Sequence, residues 1–324
     1  MLFKMCSIGG KAYRGDGGAS NEAEEENLLP SESPSVDAIV KFSDFNLLKD
    51  IQNTANNNNA DASLLNYFFI VLSLCHTVLA ATDAETGNIE YKAQSPDEAA
   101  LVQTASDLGF VFLGKDRETL SIRTPRSSEV EKYELLEILE FTSARKRMSV
   151  VLRRIDVDSD KGELLLLTKG ADNVIFERLL MTEAQEEMKR ETEIHLREFA
   201  SSGLRTLTLA FRTIPGIYSL WELAPMLIYC ADAVHEYEAW RVRYQQATIS
   251  LENREEQVDI VSNELEQKLH LLGATAIEDR LQDGVPETIE DLKKAGIKIW
   301  VATGDKLETA IGQHPSTHNS THRY

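Results

Sequence analysis

Between Phe110 and Phe211 the apolar positions fall in short runs, rich in β-branched or aromatic residues and often alternating with polar ones, and that pattern predicts β-strands. The runs are FVFLG (110–114), TLSIR (119–123), YELLEILEF (133–141), RMSVVLRRI (147–155), GELLLLTKG (162–170) and LRTLTLAFR (204–212). Helical stretches from Ala171 to Leu180 and from Glu183 to Ser201 interrupt them, so the pattern predicts an antiparallel sheet with helices, an α+β module. Upstream, residues up to Arg14 read as an extended piece entering a glycine-rich turn at Gly15 to Gly18. A short amphipathic piece follows over Ala38 to Gln52. The apolar run Leu64 to Ala81 is interrupted by Asn66, Ser73, His76 and Thr77 and has no basic flank, which predicts a buried helix in place of a membrane span. His76 is then a satisfied core histidine. In Ser95-Pro96-Asp97-Glu98, Ser95 can cap and Pro96 can occupy the first turn of a helix that runs to Leu108 and stops at Gly109.

Downstream the pattern changes. Tyr237 to Leu271 is helical and heavily charged. Leu271 to Ala276 and Ile297 to Ala302 read as two strands flanking a helix from Pro286 to Ala295, introduced by Asp283 or Gly284 and closed by Gly296. This predicts a βαβ unit. In such units chemistry gathers beyond the carboxyl ends of the strands, and Thr303-Gly304-Asp305 falls there.

Charge narrows the function classes. The chain has 324 residues, a prior of about two domains. It carries 34 Lys+Arg against 53 Asp+Glu, a net charge of −19, which argues against a partner bound through nucleic-acid phosphates. Its 42% hydrophobic and 27% charged residues suit a folded soluble chain. Three separated cysteines, Cys6, Cys75 and Cys230, offer neither a disulfide framework nor a Cys-x-x-Cys site and suit a reducing compartment. No signal peptide is read at the N-terminus. The acidic and Asn-rich stretches 15–34 and 53–61 read as surface loops.

Taken singly, the candidate functional residues each have two readings. Lys169-Gly170-Ala171-Asp172 ends a strand and opens a helix, either an anion site with Lys169 as point charge or an ordinary turn. Phe141 beside Arg145-Lys146-Arg147 suits a purine ring with phosphates, or is core beside a solvated basic hairpin. Glu98 can accept from an adenine amino group or complement a helix dipole. Arg205 follows Gly203-Leu204 at a strand start and by itself is a surface residue.

In order, however, QSPDEAAL (94–101), FTSARKRMSV (141–150), KGAD (169–172), GLRTL (203–207), IEDRLQDGVPETI (277–289) and ATGDKLETA (302–310) strongly resemble the phospholipid-flippase subfamily of P-type ATPases. The resemblance implies a nucleotide-binding domain over 1–272 and part of a haloacid-dehalogenase-like, Rossmann-like α/β phosphorylation domain over 273–311. It also implies that ATP is bound, with Glu98 holding adenine, Phe141 stacking on it and Ser143 and Lys146 lining the same pocket. Lys169 would form the inner wall and Arg205 would reach the phosphates. Asp279 and Arg280 would lie at the hinge near the ribose, while Thr303, Gly304 and Asp305 would meet the transferred phosphoryl group. The logic is that of phosphoryl transfer, in which positioning and charge stabilisation dominate.

The same resemblance implies a cytosolic region of an integral membrane protein that moves phospholipid with an accessory membrane subunit through an aspartyl-phosphate. Mg²⁺ would act in full-length members. This chain carries neither the phosphorylated aspartate of a D-K-T-G-T motif nor the Mg²⁺-holding G-D-G-x-N-D motif, so the expectation is a soluble chain that binds ATP without transport. Residues 216–234 match nothing in the family and read as translated intron. The tail 312–324 is likewise foreign, and its His314, His318 and His322 are not read as a metal site, because Pro315 and the Ser/Thr/Asn filling make a helix poor there. Two other functions compete, a haloacid-dehalogenase-type phosphatase and a nucleotide-binding interaction module without turnover.

Overall fold

The computed structural model describes residues 1–15, 42–56, 60–82, 89–155, 163–214, 236–279 and 284–300. Its strands are β1 (Leu2–Ile8), β2 (Lys11–Tyr13), β3 (Leu79–Thr82), β4 (Ile89–Lys92), β5 (Val111–Asp116), β6 (Thr119–Arg123), β7 (Glu131–Leu139), β8 (Arg147–Ile155), β9 (Leu164–Gly170), β10 (Arg205–Ile214) and β11 (His270–Glu278). The helices are α1 (Phe45–Asn56), α2 (Ala60–Leu74), α3 (Pro96–Asp107), α4 (Asp172–Phe176), α5 (Glu183–Ser201), α6 (Glu236–Ile249), α7 (Arg254–Leu265) and α8 (Val285–Lys294).

Nine strands form one sheet in the order β2-β1-β11-β10-β9-β8-β7-β6-β5, and every neighbouring pair is antiparallel. β3 and β4 form a separate hairpin. Alternation along the central strands divides the side chains between two cores. On one face Met148, Val150, Leu152, Leu165, Leu167 and Leu209 pack against α1, α2 and α3 through Leu47, Phe68, Phe69 and Leu101. On the other, Val151, Leu164 and Leu166 meet Tyr237, Trp240 and Tyr244 of α6 and Leu265 of α7, while Phe199 of α5 covers Ala276.

Several expected boundaries shift. α2 ends at Leu74, so the apolar run from Leu64 divides between a helix and the β3 strand, and the segment from Tyr237 divides into α6 and α7 around Asn253, which has φ +48°. The larger correction concerns the βαβ unit. Leu271 to Ala276 belongs to β11, which runs antiparallel to both β1 and β10, and Ile297 to Trp300 has no regular structure. An apolar run buried on both faces looks the same in a parallel and an antiparallel sheet, so the run alone could not distinguish them. The intervening helix does form as α8, with Gly284 at its cap at φ +83° and Pro286 in its first turn, and none of its residues is buried.

β11 is tied closely to β1. Gly273 has φ +146°, and a Cβ there would stand 1.8 Å from the Ser7 carbonyl oxygen, so only glycine permits this approach.

Candidate nucleotide site

One end of the sheet collects the residues expected to carry chemistry. β9 finishes there at Lys169 and Gly170, opposite Met148 and Arg147 at the start of β8. β10 begins there and overshoots β9, because Thr208 pairs with Gly170 while Arg205 pairs with Ile277 near the end of β11. The β7–β8 loop, with Phe141, Ser143 and Lys146, lies at the same end, and so does the first turn of α3 with Asp97 and Glu98.

Two ion pairs organise the face toward α3. Lys169 Nζ donates to Glu98 Oε1 at 2.6 Å, and the other carboxylate oxygen accepts from the Thr77 amide at 3.1 Å and the Thr77 hydroxyl at 2.7 Å. Lys169 is buried, an arrangement tolerated because its charge is paired. Burial pushes the Glu98 carboxyl up, but the Lys169 ammonium and the hydrogen bonds from Lys169 and Thr77 outweigh it and hold the group below the usual carboxylate range. Arg205 Nη1 lies 3.2 Å from Asp97 Oδ2 and 3.5 Å from Asp279 Oδ2, so it bridges α3 and the end of β11. His76 is not a ligand position: its Nδ1 accepts from the Val78 amide at 3.1 Å and its Nε2 lies 2.7 Å from the Ser73 carbonyl.

The loop side is more open. Phe141 is 60% exposed, which sets aside a core role for it, and Ser143 and Lys146 are exposed as well. Lys146 adopts φ +52°, and its carbonyl accepts from the Ala171 amide at 3.0 Å, which joins the loop to the Lys169-Gly170-Ala171 turn. Gly170 is required at that junction, since a Cβ would approach the Lys146 carbonyl oxygen to 2.8 Å and Arg147 Cβ to 2.7 Å. Arg145 and Arg147 turn the other way and are buried against Glu266 beyond the opposite face.

The structure therefore brings Glu98, Phe141, Ser143, Lys146, Lys169, Arg205 and Asp279 to one end of the sheet. Arg280, Thr303, Gly304 and Asp305 lie outside the described residues, as do the insert 216–234, the tail 312–324 and most of the loop 15–34. The stretch 53–61, expected as a loop, is instead helical at both ends, since α1 runs to Asn56 and α2 begins at Ala60. Sequence reasoning missed Thr77, which no spacing links to Glu98. It also missed the polar set Asp259, Asn263 and Glu266, although its i, i+4, i+7 spacing was a usable sign of one helix face directed at a common partner.

A family model for the cytoplasmic domain N of P-type ATPases matches residues 66–284. The chain belongs to the P-type ATPase family. It is 41% identical over 96% of its length to phospholipid-transporting ATPase 10 of Arabidopsis thaliana, and 40% identical over 96% to phospholipid-transporting ATPase DRS2 of Saccharomyces cerevisiae. Phospholipid-transporting ATPase FetA of Mus musculus is 40% identical over the same share. The chain spans 25%, 20% and 24% of those relatives, about a quarter of their length. The strands β3 to β11 and the helices α3 to α7 fall within that match and are accordingly domain N of a P-type ATPase, and among the described residues no helix is long and apolar enough to cross a membrane.

Proposed function

We propose that this domain N binds ATP for an ATP-driven phospholipid flippase that works through an aspartyl-phosphate intermediate. The observation that carries the reading is the convergence of an exposed aromatic ring, Phe141, with a buried Lys169 and a half-buried Arg205 at one sheet end, in a chain whose relatives are named phospholipid-transporting ATPases. These groups suit a nucleotide: an aromatic face for the base, fixed cations for the phosphates. Glu98 takes the adenine amino group, Ser143 and Lys146 line the base pocket, Lys169 forms its inner wall, and Asp279 and Arg280 flank the ribose. Thr303, Gly304 and Asp305 meet the transferred phosphoryl group in the phosphorylation domain; the start expected for it at 273 falls inside β11, which stays paired in the sheet to Glu278, so in this reading the chain enters that domain after β11. The domain works on the cytosolic side of a full-length membrane protein with an accessory subunit. Mg²⁺ serves the phosphoryl transfer in the full-length protein, while among the described residues no group of three His, Cys, Asp or Glu side chains could hold a metal ion.

Base and phosphate contacts fail in different ways, which provides the test. Phe141→Ala weakens AMP, ADP and ATP alike by about 1–3 kcal/mol, the range for base–aromatic stacking, and leaves the melting temperature nearly unchanged because the ring is exposed. Arg205→Ala weakens ATP and ADP far more than AMP. Titration of both variants with the three nucleotides, alongside thermal melts, checks this, and unchanged affinities or equal losses for Arg205→Ala across all three contradict the pocket.

A further inference from the structure

We propose that Glu266, on the face of the sheet away from Glu98 and Lys169, is a positioning residue for nucleotide binding; this rests on the reading of the β7–β8 loop as the adenine side of the pocket. Glu266 caps the end of α7 and is completely buried. Its Oε1 accepts from Arg145 Nη2 at 2.5 Å and from Ser149 Oγ at 2.6 Å, and its Oε2 accepts from Arg147 Nε at 2.7 Å. One carboxylate thus neutralises much of two guanidiniums that would otherwise be buried with half-exposed Asp259 as the other acid nearby.

What those guanidiniums do next links Glu266 to the pocket. Arg145 Nη1 donates to the Glu140 carbonyl at 2.8 Å, immediately before Phe141, and Arg147 Nη1 donates to the Arg145 carbonyl at 3.2 Å, immediately before Lys146. The Arg145 amide also donates to Thr142 Oγ1 at 3.2 Å. The carbonyls just before Phe141 and just before Lys146 are therefore held by side chains whose own orientation is fixed by Glu266. The loop carries Lys146 at φ +52°, a conformation that surroundings must impose on a lysine. Asn263, one turn earlier on α7, completes the clamp, with Oδ1 accepting from Arg178 at 2.8 Å and 3.0 Å and from Arg147 at 3.4 Å. α7 accordingly sets the loop that presents the aromatic ring without reaching the nucleotide itself, and a shift of the α6–α7 pair would change base affinity from the far side of the sheet.

The test compares Glu266→Gln, Arg147→Lys and Phe141→Ala in the full chain. AMP, ADP and ATP are titrated below each variant's unfolding transition, so that loss of folded protein does not register as loss of affinity. Glu266→Gln is expected to raise Kd for all three nucleotides by about 3- to 10-fold, in the lower part of the range for coupled neighbouring groups, without the phosphate-dependent pattern of Arg205→Ala. A lowered melting temperature with unchanged Kd makes Glu266 merely structural and overturns the proposal. Should Glu266→Gln not fold, Arg147→Lys keeps the charge while losing the forked geometry, and an unchanged Kd there overturns it equally. If Phe141→Ala also leaves every affinity unchanged, the pocket reading itself has failed; if Phe141→Ala weakens binding and the other two do not, only the positioning role has.

Discussion

Lys169 sets the charge of two neighbours in opposite directions. It holds Glu98 ionised against the effect of burial, and it adds to the burial that lowers the His76 pKa to about 4. The consequences for stability separate by pH. Between about 6.5, the ordinary histidine value, and about 4 the unfolded chain takes up a proton at position 76 that the native state refuses, so stability falls as pH falls through that window. Glu98 acts lower: its contribution is present above the ordinary carboxylate pKa and is lost as pH drops through its depressed native value. Urea melts between neutral and acid pH should show both limbs. His76→Gln should flatten the upper limb by about 1–3 kcal/mol, and Glu98→Gln the lower one. An upper limb of unchanged slope in His76→Gln would assign it to other groups.

At the scale of elements, α1 shows how one side chain fixes a helix to a sheet. Asp44 stands before its first turn, where Oδ1 accepts from the Leu47 amide at 2.9 Å, a capping contact, while Oδ2 accepts from the Arg14 and Gly15 amides, each at 3.1 Å, just beyond β2. Asp44→Ala removes the cap and strands two backbone donors, and should cost about 2–4 kcal/mol in a chemical melt. Asp44→Asn, which keeps an acceptor, should cost less than half as much, and equal losses would mean that charge outweighs capping. α1 was legible only as an amphipathic piece starting earlier, since the two amides that Asp44 satisfies are distant in sequence. β6, β8 and α5, by contrast, occupy the residues that their periodicity predicts. The β3–β4 hairpin was not legible: β3 follows an apolar helix without a turn signal. Within the site, motif order located Glu98, Phe141, Lys169 and Arg205, but not the hydrogen bonds that orient them. Those depend on which strands become neighbours, and pairing is decided by the whole sheet.

That dependence is clear near one edge of the sheet, where the first described strand meets the last. β1 pairs with β11 along its length, and β11 pairs in turn with β10, whose first residue is Arg205. Residues 2–13 bury Phe3, Cys6, Ile8 and Tyr13, and Gly9 donates to the Leu272 carbonyl at 3.0 Å. Removing residues 1–14 should therefore cost well over about 4 kcal/mol from lost apolar burial alone and leave β11 as an unpaired, apolar edge. Gel filtration should then show aggregates. α8 is the contrasting case, because none of its residues is buried and Ile289 and Leu292 do not enter either core. Ending the chain after Asp279 should keep the unfolding midpoint of the sheet within about 2 °C of the full chain, since none of the described residues it removes is buried. A midpoint that falls with the loss of α8 while the removal of β1 is tolerated would mean that the sheet is held from its C-terminal side, the reverse of what the pairing of β1 with β11 requires.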